Sequence, residues 1–434
     1  MIAPLTPNTQ AILLLTAPLI AGRSDAALEM LTLSEYNRLA RLLREKQKQP
    51  ADLIGTAAAE TINLAAAVFG RARLDSLLGR GFLLSQAVER WSARAIWVVS
   101  RADGTYPRRI KARLKEDAPP VLYGCGEASL LDTGGLAIVG SRHVDDELIG
   151  YTENVGRLAA EARRTVVSGA AKGIDRAAMH GALQAGGVVV GVMSDSLERA
   201  ALARDNREPL MDHKLAFISP YDPAAGFNVG HAMQRNKVIY ALADAALVVT
   251  SDFEKGGTWA GAIEQLERLH FVPVFVRNAA NAGKGNAALL QHGAEPWPNP
   301  QDSAELSEVL AAAAAAVAAE PKQETLSFAL REQPAACHTT PERKPVEPLA
   351  SASKAPEPVS TLSPSDELFR VVRQILQREL ASGRTEAGVV TLLGVTKLQA
   401  KEWLTRLVEE GALEKVIKPK PVRYQATSSS NRLL

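Results

Sequence analysis

At 434 residues the chain exceeds one ordinary domain, and 46% hydrophobic with 23% charged residues is the balance of a globular protein, not of a disordered chain. The 50 Lys and Arg against 48 Asp and Glu leave a formal charge of +2, so a polyanion would have to be met by a local groove and not by the whole surface. The 2 cysteines, Cys125 and Cys337, lie far apart, which excludes a disulfide framework or zinc knuckle and fits a reducing cytoplasm.

In chain order, the apolar run AILLLTAPLI near the N-terminus is too short to span a bilayer, contains a proline and lacks a basic leader, so it reads as neither signal peptide nor membrane span. Residues 1–100 read as a helical domain, because LSEYNRLARLLREK and SLLGRGFLLSQAVERWSARA place apolar residues three and four apart. Gly70, Gly79 and Gly81 at helix ends suggest a SAM or helix-hairpin-helix-like unit there, with packing as its first role.

From Leu136 the texture changes: LAIVG, TVVSG, VVVGVM, LAFISP, ALVVTS and VPVFV alternate with helical stretches. Fully apolar, β-branched strands of this kind are buried on both faces of a parallel sheet. The expected fold is α/β, a Rossmann-like open parallel sheet within a domain of residues 101–300. Residues 301–364, an alanine run and then a Pro, Lys, Glu and Ser-rich stretch, read as a linker. Residues 365–427 read as a winged helix-turn-helix whose recognition helix is TKLQAKEWLTRLVEEG, capped by Thr396. Lys397, Lys401 and Arg406 lie on or near its polar side, and Lys415, Lys418, Lys420 and Arg423 make the wing basic. Glu402, Glu409 and Glu410 dilute that charge, which leaves duplex DNA and a protein as alternative ligands, and Trp403 and Leu407 read as core.

Open parallel sheets bind ligands beyond the carboxyl ends of their strands. Three turns there carry matching chemistry. In LAIVGSRHV, Gly140 permits close backbone approach, Ser141 caps the next helix and Arg142 pairs with a phosphate. In VVSGAAKGID, Ser168 and Gly169 bring amides to the edge, Lys172 supplies charge and Asp175 caps or favours the following helix. In SDFEKGGTWAGAIEQL, Gly256, Gly257 and Thr258 form a third amide-rich turn. Arg235, Asn236 and Lys237 open a helix expected beside the same edge, and Tyr240 and Trp259 are the nearby aromatics for base stacking. Each turn alone is a common tight βα connection; together they imply a polyanion or nucleotide.

The ordered series YPRRIKARLKEDAPPVLYGCG, AIVGSR, VVSGAAKGIDRAAMHGALQAGG, RNKVIYALADAALVV and GGTWAGA resembles the bacterial DNA-processing DprA (Smf) family, over about residues 85–275. The resemblance implies a non-enzymatic, dimeric protein that binds single-stranded DNA and loads a RecA-type recombinase in transformation and recombination. It implies that Ser141, Arg142, Ser168, Gly169, Lys172, Arg235 and Lys237 line the DNA groove. Four departures mark a divergent branch, one of them a lysine where an arginine or similar residue is usual near Lys172. Lys237 replaces the last arginine of the family's Arg-Asn-Arg, losing a bidentate fork. His180 is displaced by one position, so no family role passes to it. SLERAALARDNREP replaces a Gly-Leu-Asp and Tyr-Pro pattern. No catalytic residue, metal, cofactor or membrane contact is expected. The alternatives are a lysine-decarboxylase-like nucleotide hydrolase using Glu264 after the Gly256–Thr258 turn, and a nucleotide sensor in phage defence.

Overall fold

The computed structural model describes residues 4–19, 29–55, 58–279 and 282–319, with scattered positions between 373 and 426. They fall into two compact units, Met1–Ser327 and Phe328–Leu434.

The first unit opens with α1 (Pro7–Thr16), which starts where the Thr6 side chain accepts the Thr9 amide and Pro7 occupies a first-turn position. Ile12, Leu13 and Leu14 pack into the core on one face of the central sheet, while Leu15 enters a second apolar cluster with Leu39, Leu43, Leu74 and Leu77. Burial on every side explains why the run shows no polar stripe. No helix among the described residues is long and apolar enough to cross a membrane. Helix α2 (Leu33–Glu45) begins with a capping box between Thr32 and Glu35. Arg73 lies 2.7 Å from Glu35, and its hydrogen bonds, with those of Thr32, lower the Glu35 pKa to about 2. Helices α3 (Ala58–Phe69), α4 (Arg71–Leu78) and α5 (Gly81–Ser92) follow. Gly70 and Gly79 flank α4 and Gly81 opens α5, as the spacing predicts. Arg80, between α4 and α5, is buried and donates to the carbonyls of Leu14, Ala17 and Leu77, so this cation holds the turn against α1 and faces no ligand.

The sheet contains β1 (Trp97–Ser100), β2 (Val121–Gly126), β3 (Leu136–Gly140), β4 (Val166–Ser168), β5 (Val189–Val192), β6 (Leu215–Ser219), β7 (Ala245–Thr250), β8 (Val274–Val276) and β9 (Glu295–Pro296). Their spatial order is β1-β2-β6-β5-β4-β3-β7-β8-β9. Between the strands run α6 (Arg108–Leu114), α7 (Asp146–Glu161), α8 (Ile174–Gln184), α9 (Leu197–Leu202), α10 (Arg204–Met211), α11 (Val229–Leu242), α12 (Gly256–Glu264) and α13 (Lys284–Gln291). Every strand read from the sequence is present. The purely parallel sheet expected from them needs correction, because β1–β2 and β2–β6 pair antiparallel. These two strands precede the alternating pattern, and antiparallel neighbours need no crossover helix.

Residues of β3 alternate between the two faces. Leu136 and Ile138 pack with α7 and α8, while Ala137 and Val139 pack with α6 and α11. The result is three layers, helix on sheet on helix. The strand order reverses at β3, which pairs with β4 on one side and β7 on the other. That reversal leaves a crevice at the carboxyl ends of β3 and β7, where doubly wound sheets bind ligands.

The expected linker 301–364 begins differently: α14 (Ser303–Ala319) is a helix, with Leu306, Leu310 and Ala313 buried in the sheet-covering core. The start of the alanine run thus continues the buried face of the helix, through Ala313. In the second unit, β10 (Leu413–Val416) and β11 (Arg423–Ala426) pair antiparallel. Leu376, Leu380, Val389, Leu404, Leu407 and Tyr424 form an apolar cluster with Trp403 packed against it. The remainder of the expected winged helix, including Thr396, Lys397, Lys401 and Arg406, lies outside the described residues.

Candidate nucleic-acid interface

The three turns singled out in the sequence converge at the reversal point. The loop after β3 touches the loop after β4 closely: the Ile174 amide donates to the Ser141 carbonyl at 3.3 Å. Gly173 sits there at φ 78°, and a Cβ on it would strike the Ser141 and Arg142 carbonyls, so only glycine fits. The loop after β7 joins through Thr258, whose hydroxyl donates to the Gly140 carbonyl at 3.0 Å. Asn236 of α11 donates to the Gly257 carbonyl at 2.9 Å and steadies that same turn.

Asp175 is the hub of this arrangement. It is 5% exposed, and the nearby backbone amides of Gly140, Gly169 and Ala171, with the Arg235 guanidinium, favour its charged form against burial. Arg235, also 5% exposed, donates to the carbonyls of Gly169 and Val192. A Cβ at Gly169 would overlap both Arg235 and Asp175. Burial pushes the Asp175 carboxyl up and the Arg235 guanidinium down from their ordinary ranges, and each opposes the other's shift. Asp175 does not cap its helix, whose N-cap is Gly173, but lies in its first turn as an acidic residue that favours that terminus, and its carboxylate also faces the loops after β3 and β4.

Other expected residues are dispersed by the packing. The Ser168 hydroxyl is buried and donates to the Ile138 carbonyl at 2.6 Å. Lys237 has a side chain only 13% exposed and pairs with Glu264 at 3.5 Å, and Arg268 also binds Glu264. Glu264 is therefore paired twice and is not among the residues lining the cleft. Tyr240 is 2% exposed and offers no open face, while Trp259 is half-buried in edge contact with Phe253 and His292. Among the described residues no group of His, Cys, Asp and Glu is placed to hold a metal ion.

What remains is a cleft of about 340 Å³ lined by Gly140, Ser141, Arg142, Asp175, Arg235, Asn236, Gly256, Gly257 and Thr258 from the sequence reading. Lys172 lies outside the lining, exposed on the neighbouring loop. The cleft also contains residues that sequence reasoning missed: Phe227, Val229, Met233 and Lys255. Phe227, Val229 and Met233 are 57%, 66% and 40% exposed, and the Arg142 guanidinium lies over the Phe227 ring at 5.2 Å from its centroid. Lys255 directly precedes the glycine pair and was legible beside it; Phe227 sits in a loop with no periodicity to flag it. Buried groups thus form the floor, and exposed Arg142 and Lys255 with open apolar side chains form the rim.

Fold and cleft together define a class: a Rossmann-type protein whose candidate site is the cleft at the topological switch point of a doubly wound sheet. Within that class, residues 97–308 match the family DNA recombination-mediator protein A, which makes this region of the chain DprA/Smf-like. It is similar to DNA processing protein DprA of Streptococcus pneumoniae, at 29% identity over 189 residues, 43% of this chain and 66% of that protein. It is similar to protein Smf of Escherichia coli, at 31% identity over 208 residues, 45% of this chain and 53% of that protein. The matched region therefore spans about half to two thirds of these relatives. Among solved structures, DprA of Streptococcus pneumoniae superposes with a TM-score of 0.49 at 20% identity, covering 64% of this chain and 97% of that one. DNA processing protein A of Helicobacter pylori, described for its single-stranded DNA binding mode, gives a TM-score of 0.41 at 23% identity, covering 50% and 96%.

Proposed function

We propose that the chain binds single-stranded DNA along the cleft between the β3, β4 and β7 loops and passes it to a RecA-type recombinase, without itself catalysing a reaction. The observation that carries the reading is the cleft's construction. Arg142 and Lys255 stand exposed at its mouth, with Lys172 on the next loop, while Phe227, Val229 and Met233 present open apolar surface between them. Alternating cation and apolar surface suits a polyanion whose bases are unpaired and available for contact, whereas duplex DNA hides its bases in the stack. The match to a family described as a mediator of DNA recombination supports a recombinase as recipient. A homodimer in the cytoplasm, with a C-terminal unit that contacts duplex DNA or a protein, completes the proposal on the family resemblance. A salt-titrated comparison of single-stranded and duplex oligonucleotides tests it. The wild type should prefer single strands, and an Arg142→Ala, Lys172→Ala, Lys255→Ala variant should lose affinity and lower the salt slope by about 2, at about 0.7 per phosphate contact. An unchanged slope would remove these cations from the interface.

A further inference from the structure

We infer that Arg90 is a positioning residue: from the N-terminal helical region it clamps the turn at residues 222–225, and through that turn it holds Phe227 at the mouth of the cleft. The affinity readout below rests on the DNA-binding reading above. Helix α5 ends at Ser92, so Arg90 in its last turn and Arg94 just beyond stand where a helix C-terminus favours cations. Being four residues apart, they share a face, and both meet Glu198 of α9. Arg90 Nε donates to Glu198 Oε1 at 3.2 Å, and Arg94 Nε lies 3.5 Å from Glu198 Oε2. Arg90 also reaches past α9. Its Nη2 lies 3.9 Å from Asp222 Oδ2, and among the described residues neither atom has a hydrogen-bond partner. One guanidinium thus spans carboxylates from two segments, a span that suits its planar fork and not a point charge.

Both carboxylates are built into the same turn. The Glu198 amide donates to the Pro223 carbonyl at 3.0 Å and the Ser196 amide to the Ala225 carbonyl at 2.9 Å. Asp222 closes the turn from within: its Oδ1 accepts the Ala224 amide at 2.8 Å and its carbonyl accepts the Ala225 amide at 2.8 Å. Burial pushes the Asp222 carboxyl up, and the Ala224 amide and Arg90 oppose that shift. Without the guanidinium this buried group loses its counter-charge and the turn its tie to α5. Only Gly226 lies between the turn and Phe227, and it stands in open space. The turn therefore sets where the chain starts towards the Arg142 guanidinium, 5.2 Å from the Phe227 ring centroid. On the far side Asn228 caps α11 by accepting the His231 amide at 3.1 Å. Phe227 is thus held between a helix cap and a charged clamp, which makes the N-terminal helices part of the cleft's construction. Glu198 lies in SLERAALARDNREP, a stretch that contributes nothing to the cleft lining itself.

The test pairs fluorescence anisotropy with a labelled oligothymidylate and hydrogen exchange without DNA, both on the full chain. Arg90→Met should bind about fivefold more weakly, part of the roughly tenfold loss expected when an aromatic contact is removed. Its salt slope should match the wild type, because no phosphate contact is lost. In a Phe227→Ala background the same substitution should change nothing, since the residue it positions is gone. Without DNA, Arg90→Met should speed exchange about tenfold at the amides of Ser196, Glu198, Ala224 and Ala225, while those of β3 and β7 keep their protection. A thermal melt checks folding; if Arg90→Met does not fold, Asp222→Asn, which keeps an acceptor for Ala224 and removes the charge, takes its place in each comparison. Wild-type affinity in the folded variant, a loss that adds in full to that of Phe227→Ala, or exchange that rises equally across the sheet would overturn the clamp. If the wild type binds no oligothymidylate the DNA reading falls, and the exchange pattern alone decides whether Arg90 positions the turn.

Discussion

Replacing Arg235 by Met tests whether this residue is structural or a DNA contact. The side chain is 5% exposed, its guanidinium faces the buried Asp175 carboxylate, and it donates to the carbonyls of Gly169 and Val192. Removing the guanidinium leaves the buried Asp175 charge without its opposite, at a cost of about 3 kcal/mol, the lower end for buried charges, because the nearby amides of Gly140, Gly169 and Ala171 still favour the carboxylate. Asp175→Asn alone should cost a similar amount, and the double variant about as much as either single one, since removing both charges leaves none stranded. Urea unfolding followed by circular dichroism measures all three. Because Arg235 is enclosed, the folded Arg235→Met protein should retain the wild-type salt slope for single-stranded DNA. The reasoning is refuted if Arg235→Met leaves the unfolding midpoint unchanged but reduces that slope by about 0.7, the signature of one lost phosphate contact.

Two further outcomes follow from the packing. Glu35→Gln removes the Arg73 ion pair and weakens the capping box of α2, at a cost of about 1 kcal/mol near neutral pH. Because the folded-state pKa of Glu35 is lowered from 4.5 to about 2, its contribution is present above pH 4.5 and lost as pH falls towards 2. Wild type and variant should therefore differ in thermal midpoint at pH 6 and converge at pH 2, and a constant difference would remove the carboxylate as the cause. Gly169→Ala should destabilise by about 1–3 kcal/mol, because its Cβ overlaps Arg235 and Asp175; a variant as stable as wild type by chemical denaturation would show that the hub has slack.

Much of the architecture was legible because its causes are local. The six apolar runs from LAIVG to VPVFV became strands because a sheet buried on both faces requires uninterrupted apolar sequence, and the helix-end glycines followed from the backbone freedom they supply. The order of the motifs along the chain was enough to point to the family. What sequence could not assign was the direction each side chain takes once the elements pack. Lys172, Arg235 and Lys237 look alike on paper, yet one is exposed, one is buried against Asp175 and one is paired with Glu264, because burial and partner depend on elements distant in the chain. Asp175 reads as a helix cap from its neighbours alone, and only the approach of the β3 and β4 loops brings its carboxylate near the amides of Gly140, Gly169 and Ala171. Phe227 shows the converse: it carries no motif and gains its place beside Arg142 solely because the loop before α11 folds over the crevice that the reversal of strand order creates.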